Sequence, residues 1–225
     1  MYRNRSIAEA VRRTLDLDGS FQDGLERGYA NLSALARLMR PKVEKFVGSR
    51  VKLDTIITSL KRMRGSYRQR PSRVAEVIAR SRVSLRTDVS RLSLKRSTVT
   101  LKAVRLVMSR YQRIFLQVLE GPSAVTLIYD NRIHGRVRRL FQRSDILAED
   151  SDLAAITLIS PQLISATPGC VAVMLQQMSR RGLNVEEVLS CYTDTLIVVR
   201  LVDAGKAFDA LSELLTVSRQ LVSGK

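Results

Sequence analysis

The chain has no tryptophan, one histidine and two cysteines among 225 residues. Each scarcity removes a class of chemistry. His134 stands alone, and Cys170 and Cys191 form no CxxC pair, so the ligand spacing of a zinc site is missing. Both thiols read as buried, Cys170 at a helix start and Cys191 within a strand. Aromatics make up 5% of the chain against 45% hydrophobic residues, so its core must be aliphatic. No run approaches the roughly 20 apolar residues that a membrane span needs. The opening residues Met1-Tyr2-Arg3-Asn4-Arg5-Ser6 lead into no apolar stretch, so a cytoplasmic protein without membrane contact is expected. There is no glycine-rich phosphate loop of the P-loop or Rossmann type. His134 has no nucleophile beside it and falls in an arginine-rich helix, where it is expected to be exposed. The acidic residues Asp145, Glu149, Asp150 and Asp152 read as linker or surface rather than as a metal site. A non-enzyme with no cofactor and no metal is the expectation.

What is present is unevenly spread. The net charge is +17, with 30 Arg and 8 Lys. From Ile146 to Lys225 there are 6 basic and 9 acidic side chains, which leaves 32 basic and 12 acidic in the first 145 residues. Such asymmetry points to a polyanion, most simply nucleic acid, for the N-terminal two thirds. Guanidinium forks match phosphate bidentately. The bland alternative is a solvated arginine-rich surface.

Residues 1–65 read as a small helical domain. Ser6 is placed as an N-cap with Glu9 completing a capping box, and Ile7, Ala10, Val11, Thr14 and Leu15 mark one face. Leu32, Leu35, Ala36 and Met39 mark a second helix with Asn31 or Ser33 near its cap. Pro41 is expected to open a new turn rather than continue that helix, and Gly48 to end it. Leu53, Ile56, Ile57, Leu60 and Met63 then recur at helical spacing. The opposite face offers Thr55, Thr58, Ser59, Lys61 and Arg62. Short hydroxyls backed by cations suit a helix in a DNA groove, and the arrangement loosely resembles a helix-turn-helix module. Lys52, Arg64, Arg68 and Arg70 complete the candidate nucleic-acid contacts, the last two in a basic linker at 66–81 that ends in a short helix. A helical bundle that merely packs or dimerises remains the alternative.

The C-terminal part carries the clearest pattern. A β-branched strand at Ile156 to Ile159 runs through Thr167-Pro168-Gly169 into a helix bearing Val171, Met174, Leu175 and Met178. Strands Val185 to Tyr192 and Thr195 to Val202 follow, and then a helix from Ala204 to Leu215. This is the order of a split βαβ, ferredoxin-like unit. A copy stands about 70 residues upstream: strand material at Val83 to Leu94, a helix from Thr98 to Arg110, a hairpin of Ile114 to Leu119 with Val125 to Tyr129, and a helix from Ile133 to Phe141. The copy has Arg96-Ser97-Thr98 where the second unit has its Pro-Gly loop. The fold class is therefore read as α+β: a small N-terminal helical domain and then two βαββαβ units, 82–147 and 148–225, able to join strands into one sheet.

Thr167-Pro168-Gly169, Gly182-Leu183-Asn184-Val185, Ser190, Thr193, Leu196-Ile197-Val198-Val199, Asp203, Ala207 and Leu211 together resemble an ACT domain, above all the regulatory ACT domains of aspartate kinases. The resemblance implies an amino-acid ligand as partner, held at an interface by Ser160, Thr167, Pro168, Gly169, Cys170 and Val171, with Asn184 adding an amide. It also implies a homodimer. Gly169 admits close approach of backbone N–H groups to a carboxylate at a helix start. Three functions stay open: a DNA-binding regulator with an ACT sensor, a non-catalytic regulatory subunit of an amino-acid biosynthetic enzyme, and an RNA-associated basic protein.

Overall fold

A computed structural model describes residues 6–26, 28–64 and 73–223. The contacts divide the chain into Met1–Pro71 and Ser72–Lys225.

The first unit is helical. α1 (Ile7–Asp16) is capped by the Ser6 hydroxyl, which accepts the Glu9 N–H at 3.2 Å. α2 (Gly19–Glu26) follows, then α3 (Leu32–Val47), capped by Asn31 and ended by Gly48 in the left-handed region. α4 (Leu53–Met63) closes the set. α1, α3 and α4 pack against one another around Val11, Leu15, Ala36, Met39, Val43, Ile56 and Leu60, all fully buried. Pro41 does not open a new turn: α3 runs straight through it. Arg37 and Pro41 are exposed, so the carbonyl that proline cannot bond lies on the solvent side of the helix. The buried row Leu35, Ala36, Met39, Val43 holds both halves in one helix.

The second unit begins with α5 (Arg73–Ala79) and alternates thereafter: β1 (Arg82–Lys95), α6 (Thr98–Arg110), β2 (Leu116–Glu120), β3 (Ala124–Asp130), α7 (His134–Arg138), β4 (Ile146–Ile159), α8 (Cys170–Arg180), β5 (Glu187–Cys191), β6 (Asp194–Arg200) and α9 (Ala204–Ser223). The six strands form one antiparallel sheet in the order β2-β3-β1-β4-β6-β5. The two central strands are 14 residues long. β1 pairs with β3 only over Val89–Lys95, and β4 pairs with β6 only over Leu153–Ile159. One half of each long strand therefore serves one repeat and its other half the other, which supplies four strand segments to each βαββαβ unit from six strands. β4 is longer than the sequence suggests, and Glu149, Asp150 and Asp152 lie on it rather than in a linker.

One face of the sheet is covered by helices. Ala154, Ile156, Leu158, Ile197 and Val199 pack with residues of α5, α8 and α9, and Leu92, Leu94, Val125, Leu127 and Tyr129 with residues of α6 and α7. The other face gathers only strand and loop residues, Val89, Ile128, Leu153, Ala155, Leu196 and Val198, with Phe115, Leu119 and Leu189 beside them.

Candidate functional site

The two repeats differ most between their first strand and first helix. β1 reaches α6 through Arg96 and Ser97 alone, whereas residues 160–169 separate β4 from α8 and include a 3-10 turn, Gln162–Ala166. Ser97 caps α6 through a capping box with Thr100. α8 has no side-chain cap; its N-cap is Gly169 at φ +94°, a conformation that a side chain strains. The first amides of α8 are thus left to solvent or to an anion.

The loop spends its hydroxyls internally. Ser160 is buried with its hydroxyl 2.9 Å from that of Ser81, which donates to the Val77 carbonyl. Thr167 is buried and donates to the Leu163 carbonyl at 2.8 Å. Cys170 sits in the core beside α5 and α8 residues, where burial pushes its thiol up from the usual range. Pro168 and Gly169 are exposed and Val171 is half-buried. Asn184 is exposed and donates to Glu186 at 3.1 Å. What faces outward is therefore the Pro168-Gly169 backbone and the α8 amides, not the three polar side chains. Cys191 is exposed rather than buried.

On α4, Lys52, Thr55, Thr58, Lys61 and Arg62 are exposed along one side. Ser59 is buried and donates to the Thr55 carbonyl at 2.9 Å, so it leaves that side. Arg64 is exposed and donates to the Gly28 carbonyl. Arg68 and Arg70 lie outside the described residues.

His134 is half-buried, contrary to the expectation of exposure. Its Nδ1 lies 3.1 Å from the Tyr129 hydroxyl and its Nε2 2.9 Å from Glu149, which also takes Arg138. Burial of Tyr129 pushes its phenol up. Among the described residues no three His, Cys, Asp or Glu gather as metal ligands.

The helix-free face holds two polar groupings. In one, Arg91 reaches Asp150 at 2.7 Å, Glu186 at 3.2 Å and Glu187 at 3.3 Å, and Arg200 reaches Glu186 at 3.1 Å. In the other a cleft of about 710 Å³ opens between Ser84 to Asp88, Phe115, Asp130 to Arg132 and Thr157. Arg132 forks onto Asp130 at 2.9 and 2.7 Å, and its backbone N–H adds a third bond. Those bonds draw the Asp130 carboxyl down to about 2. Nothing in the sequence pattern marks this cleft, because its residues come from four separate segments.

No family model matches the chain, and no curated protein does. Solved structures do. Aspartate kinase from Synechocystis matches with a TM-score of 0.51 at 16% identity, over 61% of this chain and 27% of that one. A structure of aspartokinase alpha and beta subunits matches with a TM-score of 0.50 at 8% identity, over 60% and 97%. The regulatory subunit of aspartate kinase from Thermus thermophilus gives 0.49 at 16% identity, over 59% and 95%. The chain spans about a third of the Clostridium acetobutylicum aspartate kinase that it also matches, 34% of its length. The likeness is one of fold and covers about 60% of the chain: the six-stranded sheet with its helices has the tandem ACT arrangement of aspartate kinase regulatory regions.

Proposed function

We propose that this protein is an amino-acid-responsive regulatory protein whose C-terminal unit senses and does not catalyse. The observation that carries the reading is the sheet itself, two βαββαβ units fused through shared 14-residue strands in the tandem ACT arrangement. The likeness to aspartate kinases favours a regulatory, non-catalytic subunit of an amino-acid biosynthetic enzyme, working as a homodimer. On this reading the Pro168-Gly169 backbone and the uncapped amides of α8 receive a ligand carboxylate, with Ser160, Thr167, Cys170 and Val171 shaping the loop from within.

The test is thermal denaturation of the full chain against each of the twenty amino acids. One of them is expected to raise the melting temperature with a dependence on its concentration that gives a dissociation constant. Gly169→Val is expected to abolish stabilisation by a ligand held at the loop. A flat response to all twenty removes the sensor reading.

A second reading has its own observation: the exposed row Lys52, Thr55, Thr58, Lys61 and Arg62 on α4, in the part of the chain that holds the positive charge. On it the protein is a DNA-binding regulator, and the sensor acts by binding two states unequally.

A further inference from the structure

The shared strands reveal a relation between the two polar groupings on the helix-free face. β1 and β4 are equal in length and antiparallel, and their register maps each onto the other. The fifth residue of β1, Arg86, faces the tenth of β4, Ala155. The tenth residue of β1, Arg91, faces the fifth of β4, Asp150. Likewise Ser84 faces Thr157 as Ser93 faces Ala148. Asp130 ends β3 as Arg200 ends β6, and Phe115 precedes β2 as Glu186 precedes β5. The cleft and the Arg91 cluster are thus the same place in the two repeats.

At one of them a long side chain fills the space. The Arg91 guanidinium lies among Asp150, Glu186 and Glu187, and its side chain is 13% exposed. At the other the crossing residue is Ala155, itself buried in an apolar cluster against which Phe115 packs, and the signs are reversed: Arg86 stands where Asp150 stands, and Asp130 where Arg200 stands. Arg86 lies over the Phe115 ring at 4.9 Å and reaches Asp130 only at 3.9 Å, beyond hydrogen-bond distance. Among the described residues its donors make no hydrogen bond. Asp88 occupies a bulge in which Thr87 and Asp88 oppose the single residue Ala154, at φ +56°. Its carboxylate accepts the Thr87 hydroxyl at 3.2 Å. Asn131 accepts the Ser90 hydroxyl through Oδ1 at 2.6 Å, which leaves its NH2 edge for another acceptor.

We infer that this cleft binds a free α-amino acid, its carboxylate on Arg86 and its ammonium on Asp88. The site is separate from the α8 loop, and the inference rests on the reading that the protein senses amino acids. Two arginines and two aspartates line the cleft, so it is neutral overall and suits a zwitterion better than an anion or a cation. Asp130 is already engaged by Arg132, which assigns Arg86 and Asp88 to the ligand. The bulge lies where β1 passes from one repeat to the other, so a ligand there touches both.

The experiment is calorimetric titration of the full chain with the twenty amino acids. For any that binds, the N-acetyl and carboxamide derivatives are titrated in turn. Binding to the cleft is expected to weaken at least tenfold with either derivative, and at least tenfold in Arg86→Met and in Asp88→Asn. Asparagine tolerates the left-handed conformation, so Asp88→Asn keeps the bulge. Gly169→Val is expected to leave the same binding event intact. Binding unchanged in both Arg86→Met and Asp88→Asn overturns the cleft. If that binding is lost in Gly169→Val, the sensor reading survives at the α8 loop. No binding of any amino acid overturns both.

Discussion

Asp130 shows how one side chain ties the sheet to the turn that follows it. It ends β3, and Arg132 two residues on returns to it with three hydrogen bonds. Those bonds, opposed by some burial, hold its carboxyl at about 2 in the folded state, below the ordinary value near 3.9. A depressed carboxyl stabilises the fold fully above about pH 4 and loses that contribution as pH falls through about 2. Asp130→Asn is therefore expected to lower the melting temperature at pH 6 and to match the wild type near pH 2, as read by calorimetry at both. An equal deficit at the two pH values would show that the bonds act sterically, not by charge. The sequence pattern misplaces His134 and Ser59 for a common reason. Helical periodicity reports which face a residue lies on, but not the partner that draws it inward: Tyr129 and Glu149 for His134, the Thr55 carbonyl for Ser59.

At the scale of elements, α4 carries the nucleic-acid question. Lys61→Ala with Arg62→Ala removes two exposed cations from a helix whose apolar side stays packed on α1 and α3. If α4 meets a nucleic acid, the double variant is expected to bind more weakly, with a salt slope flatter by about one unit for each phosphate that is no longer neutralised. Fluorescence anisotropy over a series of salt concentrations measures both. Affinity equal to the wild type at every salt concentration would remove α4 from the interface. The elements themselves are legible where apolar periodicity is strong. α6 spans Thr98 to Arg110 as its pattern predicts, and α4 follows its stripe. β4 outruns its apolar stretch because Glu149, Asp150 and Asp152, which look like solvent-facing linker, extend the strand. Arginines of neighbouring elements neutralise Glu149 and Asp150 there.

On the scale of the molecule, residues 72–225 hold the whole sheet and every helix packed on it. Expressed alone, this segment is expected to unfold in a single cooperative transition in urea, since the shared strands forbid one repeat from unfolding without the other. Two separated transitions would mean that the repeats are independent. What the sequence by itself determined is the order of elements in the sheet unit, the α+β class, the repeat and the division of charge. These are local quantities, set by periodicity, turn residues and composition. Only the tertiary structure decided that two strands serve both repeats, that the loop hydroxyls turn inward, and that Ala155 stands at the position where the related repeat has Arg91. Those depend on register, and register follows from which distant residues face each other across the sheet, which spacing along the chain does not encode.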